Sequence, residues 1–216
     1  MIHNKDIKDV KDVADLGAYT RDARDISAKS RSIAEDIVGN ETPEDKIRQR
    51  VVIATGDPAF KDLLAFKNDP ITHGIDAIER GCDIYTDIRM VQVGITNKGH
   101  DCTIRSFIEF EPEEDQGLTR TASGVFTLGE ALNDSIVVIG NAPSATIALC
   151  KLIKSGITPA LVIATPVGFV NAAESKELLR QFDIPSITSI GTRGGTPVAV
   201  AVINELIKIT NERLPR

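Results

Sequence analysis

A three-layer α/β/α sandwich with a mainly parallel, five-stranded, Rossmann-like sheet is the fold that this 216-residue sequence predicts. Three observations lead there. Short β-branched runs alternate with helical stretches of about 10–18 residues, which is the rhythm of βα units. The run Ile136-Val-Val-Ile139 is apolar without alternation, as a strand buried on both faces requires. Three strand ends carry tight turns that lead into helices: Gly140-Asn-Ala-Pro, Pro166-Val-Gly-Phe and Gly191-Thr-Arg-Gly-Gly.

The elements follow in order. Residues 1–18 are charged and weakly periodic, a lead-in to the fold. A helix opens near Tyr19-Thr-Arg-Asp, carries Ile26, Ser30, Ile33, Ala34 and Ile37 on one face, and stops at Gly39-Asn40. Thr42-Pro-Glu-Asp45 starts a second helix, with a threonine cap, proline at the first position and acids in the first turn. After Thr55-Gly-Asp-Pro58 a short helix is expected over Ala59–Phe66, and another from Ile71 to Arg80. Asp83–Thr86 and Asp101–Ile108 read as strands, Glu109–Gly117 as an acidic loop and Leu118–Leu132 as a helix. Ser135–Ile153 is a complete strand, glycine turn and helix, with Pro143 in the first helical turn, where its missing N–H is harmless. Pro159–Ala164 and Pro185–Ile190 are the last strands. The helix between them is capped near Asn171, and a final helix runs from Pro197 to Arg213.

Composition narrows the function. A net charge of −6, two tyrosines and no tryptophan argue against a general nucleic-acid binder, which needs a basic face with aromatics for stacking. No run of about 18 apolar residues is present, so no membrane span is expected. The polar start Met-Ile-His-Asn-Lys-Asp-Ile-Lys is unlike a signal peptide. Cys82, Cys102 and Cys150 are far apart and form no CxxC pattern, so each reads as a small buried hydrophobe and no metal site is expected. These features describe a reduced, cytoplasmic protein. With no repeat, linker or low-complexity tract, residues 1–216 read as a single domain.

Taken alone, the Ser135–Ile153 unit suggests an anion site above Gly140, Asn141 and Ser144, because helix N-termini at the carboxyl ends of parallel strands favour negative charge. Asn141 and Ser144 can equally cap their own helix. The turns do not spell GxGxxG or GxxxxGK[ST], and any α/β fold needs such turns. Ser30 either bonds the preceding helical turn or points into a site. Asp87, at a strand end, is a polar contact or a helix cap. Arg21 and Arg193 are ligand cations or surface ion pairs of little energy. Arg120 alone looks like a solvated helix residue.

Together the segments carry a resemblance. Tyr19-x-Arg-Asp with Ser30, Arg50-Val-Val-Ile-Ala-Thr-Gly-Asp57 and Asp83-Ile-Tyr-Thr-Asp-x-x-Met-Val-x-x-Gly-Ile95 resemble the precorrin-8X (cobalt-precorrin-8) methylmutase family. So do Thr119-Arg-Thr-Ala, Val138-Ile-Gly-Asn-Ala-Pro-Ser-Ala145, Thr165–Lys176 and Gly191–Gly195, in the family's order over about residues 19–208. The resemblance implies an isomerase of cobalamin biosynthesis. It moves a methyl group from C11 to C12 of a polycarboxylated tetrapyrrole, giving hydrogenobyrinate or cobyrinate, with no cofactor and no external methyl donor. It further implies a homodimer, and Val198, Val200, Val202 and Ile203 around the last helix suit either an interface or a buried core helix. Ser30, Arg21, Arg120, Thr55, Asp87, Asn141, Ser144 and Arg193 are the substrate-binding positions the resemblance points to.

One position departs. The family pattern Arg-Met-Ile-His-Ala-Thr-Gly supplies its proton donor and acceptor at the histidine, and here Ile53 occupies that place. Isoleucine cannot donate, accept or titrate. Either positioning alone drives a slow shift, or another group supplies the proton, or activity has been lost; a non-catalytic corrinoid-binding carrier is one alternative function. An unrelated anion-binding enzyme on a Rossmann-like sheet is the remaining alternative.

Overall fold

The computed structural model describes residues 17–110 and 117–213. All but the last two residues of the expected lead-in, and the middle of the acidic loop, lie outside them. The described strands form one six-stranded sheet: β1 (Leu64–Lys67), β2 (Ile84–Thr86), β3 (Ile104–Ser106), β4 (Ile136–Ile139), β5 (Leu161–Ala164) and β6 (Ser186–Ser189). Their order across the sheet is β1-β6-β5-β4-β2-β3. Every neighbouring pair is parallel except β1, which runs antiparallel to β6 at one edge.

Eight helices are described: α1 (Arg21–Val38), α2 (Pro43–Thr55), α3 (Pro70–Glu79), α4 (Arg89–Gly94), α5 (Arg120–Leu128), α6 (Pro143–Lys154), α7 (Ala172–Arg180) and α8 (Thr196–Arg213). The pleat sorts the two cores. Ile84, Ile136, Val138, Leu161, Ile163 and Ile187 point to the layer of α3, α4 and α8. Tyr85, Val137, Ile139, Val162 and Ala164 point to the layer of α5, α6 and α7. All four residues of β4 are fully buried, and each such side chain contributes about 1.5–3 kcal/mol relative to exposure.

The three-layer architecture agrees with the sequence, but the strand count does not. The helix expected over Ala59–Phe66 is a short 3₁₀ turn, Pro58–Lys61, followed by β1. Its four residues pair with Ser186–Ser189, far away in sequence, so local periodicity carried no sign of them. Lys67 fastens this edge by donating from Nζ to the carbonyls of Arg180 and Phe182 at 2.7 and 2.6 Å. The expected helix 118–132 ends as an α-helix at Leu128 and closes with a 3₁₀ turn, Gly129–Leu132. Asn171 takes a left-handed backbone before α7, and its side chain makes no cap bond.

One helix differs from its expected packing, and another settles on one of its two readings. In α1 the buried residues are Ser27 and Ala34, while Ile26 and Ile33 are 66% and 61% exposed. This helix is outermost, lying on α2 and the Pro58–Lys61 turn, so only a narrow stripe is covered. The sequence admitted two uses for the apolar α8. Val198, Val202 and Ile203 are fully buried against α2, α3 and the sheet, so the helix is a core element. It carries the fully buried Glu205, which accepts from Arg31 of α1 at 2.5 Å and lies 3.7 Å from Arg50 of α2. Removing one partner of such a buried pair leaves an uncompensated charge, worth about 3–5 kcal/mol. Three helices are therefore locked in the register that forms the cleft described next. No helix among the described residues is long and apolar enough to cross a membrane.

Candidate functional site

In open parallel sheets, ligands collect where the strand order reverses. Here that point lies between β2 and β4, whose following segments leave the sheet in different directions. The protein fills it with its own anion. Asp87, directly after β2 and fully buried, accepts from the backbone N–H groups of Gly140, Asn141 and Ala142 at 3.2, 2.6 and 2.7 Å. A fourth N–H, from Ile88, reaches the same carboxylate at 3.0 Å. Burial pushes the Asp87 carboxyl above its ordinary range, and these four donors pull it back.

The anion site expected above Gly140 is thus occupied by Asp87, which has no surface left for a ligand. Gly140 is also closely packed. A Cβ there would lie 2.9 Å from Val91 and 3.0 Å from the Thr196 backbone, so the turn is clamped between α4 and α8. Neither Asn141 nor Ser144 caps α6, whose cap residue is Ala142. Ser144 instead shares hydrogen bonds with Thr119 and Thr121 at 2.8 and 3.4 Å, joining the start of α6 to the start of α5. Arg120 opens α5, is exposed, and reaches the carbonyl of Ile108 at 3.4 Å. Asn141, Ser144 and Arg120 therefore stand on one stretch of surface at the carboxyl edge of the sheet.

A second group lies on the helical side. A cleft of about 240 Å³ is lined by Ser30, Ile33, Ala34 and Ile37 of α1, Val52 and Ile53 of α2, and Gly56 and Pro58. Ser30 is the one polar side chain among the described residues that line it, and Ile53 forms part of the opposite wall. Two positions 23 residues apart in sequence thus share one cavity. Thr55 turns back on its own helix, donating to the Val51 carbonyl at 2.8 Å. Arg21 is exposed at the first turn of α1. Neither described histidine lines the cleft. His73 is exposed on α3, and both ring nitrogens of His100 are engaged within its loop, with the Thr96 carbonyl at 2.6 Å and the Cys102 N–H at 3.1 Å.

Asp57, between the cleft residues Gly56 and Pro58, forms an ion pair with Arg193. The Arg193 guanidinium also lies over the Phe60 ring, 5.3 Å from its centroid. This contact joins the helical cleft to the loop after β6.

Lys176 shapes that loop from beneath. It is fully buried on α7, and its ammonium donates to the Pro166 carbonyl, Ser189 Oγ and the Arg193 carbonyl at 2.9, 2.9 and 3.0 Å. Three donors meet three neutral acceptors on two segments, the turn after β5 and the end of β6 with its loop. The approach is tight: a Cβ at Gly194 would lie 2.2 Å from the Thr165 carbonyl oxygen. Sequence reasoning gave Lys176 no role. Its spacing from Ala172 and Leu179, on the buried side of α7, was the available signal. The loop above it displays Phe169 and Val170, 94% and 76% exposed, an apolar edge absent from the expected set.

The fold and this arrangement define a doubly wound α/β protein with an apolar helical cleft beside a cation-bearing sheet edge. A family model for precorrin-8X methylmutases matches residues 25–209. A cobalt-precorrin-8 methylmutase from Methanocaldococcus jannaschii is 43% identical over 203 residues, covering 89% of this chain and 96% of that protein. A precorrin-8X methylmutase from Pseudomonas aeruginosa is 34% identical, covering 87% and 96%. The crystal structure of the Thermus thermophilus precorrin-8X methylmutase superposes with a TM-score of 0.81 at 30% identity, covering 88% and 97%. The chain belongs to the precorrin-8X methylmutase family.

Two outcomes test this geometry. Asp87→Asn keeps the shape but sets an amide NH₂ against backbone donors. It is expected to lower unfolding free energy by about 1–3 kcal/mol in a urea titration, and an unchanged midpoint would refute the role assigned to the carboxylate. Burial lowers the Lys176 pKa to about 8. Between that value and its unfolded value near 10.4, the unfolded chain retains a proton that the folded chain has lost. The contribution of this group to stability therefore rises with pH across that window. The ¹³Cε resonance of Lys176 should titrate near 8; a midpoint at 10 or above would contradict the burial argument.

Proposed function

We propose that the chain is a methylmutase of cobalamin biosynthesis, an isomerase that moves the C11 methyl of a precorrin-8 tetrapyrrole to C12. Membership of the family over residues 25–209 supports this reading and favours neither the carrier nor the unrelated-enzyme alternative. The site's chemistry supports it. Pockets for drug-sized ligands run to about 300–1,000 Å³, so a cleft near 240 Å³ admits only an edge of a corrin ring. Its aliphatic walls suit ring methyl and C–H groups, and the exposed Phe169 and Val170 suit the ring's apolar surface.

The substrate's carboxylates fall to Arg21, Arg120 and Arg193 at the rim, where guanidinium groups bind carboxylates bidentately. A carboxylate reaching Arg193 must displace Asp57. Asn141 and Ser144 border the Arg120 side. Asp87 and Lys176 act beneath the surface, setting the turns that present these groups, and Thr55 completes the end of α2.

The rearrangement is intramolecular, so positioning supplies much of the rate. A proton on the ring assists it, and Ile53 supplies none. Ser30 is the hydrogen-bonding side chain on the cleft wall and orients the ring edge. Exposed Ile26 on α1, with Met90 and Val93 on α4, offers the apolar surface through which two copies associate. The cytoplasm is the compartment we assign to the reaction, in keeping with relatives named as cobalt-precorrin-8 methylmutases.

The decisive assay mixes the protein with cobalt-precorrin-8, or its metal-free counterpart, and follows the change of chromophore that methyl migration produces. Conversion is expected, slow relative to an enzyme with a histidine at the position of Ile53. Tight binding without conversion would mark a carrier, and neither would exclude the family's chemistry. Ile53→His is expected to raise turnover about 10²–10⁴-fold. A folded, ligand-binding variant with unchanged turnover would show that the missing proton donor is not limiting. Sedimentation velocity should give a dimer, and a monomer at assay concentration would remove the association through α1 and α4.

A further inference from the structure

Two of the three cysteines meet at the end of the sheet remote from the proposed site. The register between β2 and β3 pairs Ile84 with Ile104, Tyr85 with Arg105 and Thr86 with Ser106. Two residues back along both chains, Cys82 stands beside Cys102. The pairing continues past the regular strands: Ile84 N–H donates to the Thr103 carbonyl at 2.8 Å. A Cβ on Gly81 would lie 3.7 Å from that of Asp101, so the chains are still adjacent one residue further out.

Both cysteine side chains are partly buried and pack on the same core cluster, hence on the same face of the sheet. Cys102 Sγ lies 3.8 Å from the Ile78 carbonyl, on the side of that core. Neighbouring strands run about 4.8 Å apart, within the Cα separation of about 4.4–6.8 Å that a disulfide spans. The loop holding Cys102 is pinned, since its N–H donates to His100 Nδ1 at 3.1 Å and His100 Nε2 is held by the Thr96 carbonyl. Cys150 belongs to the opposite layer, buried on α6.

We propose that Cys82 and Cys102 are a redox-active pair that closes to an intramolecular disulfide between β2 and β3 on reaction with a low-molecular-weight organic disulfide.

The two thiols differ in readiness. Contact with the Cys102 thiol holds Cys82 below the ordinary thiol range against the effect of burial, and Arg80 adds to this. Cys102 is pushed up by its contact with Cys82 and by burial. Cys82 is therefore the attacking thiolate. Its sulfur attacks one sulfur of the organic disulfide, whose S–S bond breaks and releases one thiolate. Cys102 then loses its proton and attacks Cys82 Sγ in the mixed disulfide, releasing the second thiolate. In sum, two protein thiols and one organic disulfide become one protein disulfide and two small thiols.

The test uses the full chain, reduced, freed of reductant and exposed to glutathione disulfide. Free thiols are then alkylated, and the digest is analysed by mass spectrometry. The expected product has lost two hydrogens, contains a Cys82–Cys102 linked peptide and carries alkylated Cys150. It should form at least about tenfold faster in buffer than in guanidinium chloride, because the fold holds the sulfurs together. Cys102→Ser should instead accumulate the glutathione adduct at Cys82, released by dithiothreitol. Wild-type protein that keeps both thiols, stops at an adduct, or links either cysteine to Cys150 or to another chain would overturn the proposal. So would equal rates in the folded and denatured chains.

Discussion

The carboxylate of Asp87 is the contact on which the rest of the molecule turns. A parallel sheet whose order reverses between β2 and β4 leaves a crevice ringed by unpaired N–H groups, electropositive and expensive to leave dry. Asp87 supplies the missing acceptors from within the chain, and four backbone donors converge on it. With that crevice sealed, α4 and α8 can close over Gly140 as tightly as they do. The place where many α/β proteins hold a phosphate becomes a structural joint, and the exposed Arg120 and Arg193 stand outside it.

The rim owes its form to a second buried charge of opposite sign. Lys176 draws together the segments after β5 and β6 and fixes the main chain of Arg193 while leaving its guanidinium free to lean on Phe60 and pair with Asp57. Rigid backbone below and an ion pair above are complementary properties. The first holds the cation at a set position, and the second neutralises it. On the other side, Glu205 holds α1 and α2 through Arg31 and Arg50, which sets the width of the cleft between Ser30 and Ile53.

The sheet's interior was legible in the sequence because full burial demands an unbroken β-branched run, and Ile136–Ile139 satisfies that demand locally. Helix starts were legible where chemistry is local too: Thr42 and Asp45 form the reciprocal capping box their types imply. What escaped depends on partners far away. Leu64–Lys67 is too short for its pattern to separate strand from helix, and only β6 decides it. The apolar side of α1 was visible, but not that an outermost helix would leave Ile26 and Ile33 uncovered. Asp87 was visible as an acid at a strand end, yet three of its four partners sit more than 50 residues on. The neighbourhood of Ser30 and Ile53 came from the family resemblance, since no spacing rule places a mid-helix serine beside the next helix's isoleucine.

The antiparallel edge strand has a consequence for the order in which the molecule assembles. β1 lies early in the chain, but the carbonyls that receive Lys67 are 113 and 115 residues further on. The entropy of closing so long a loop is recovered only after β4, β5 and β6 have stacked. On a ribosome, β1 must therefore wait, unpaired, until most of the chain has emerged. Its brevity, and the lysine at its end, suit a segment that spends that interval with its backbone exposed to other chains.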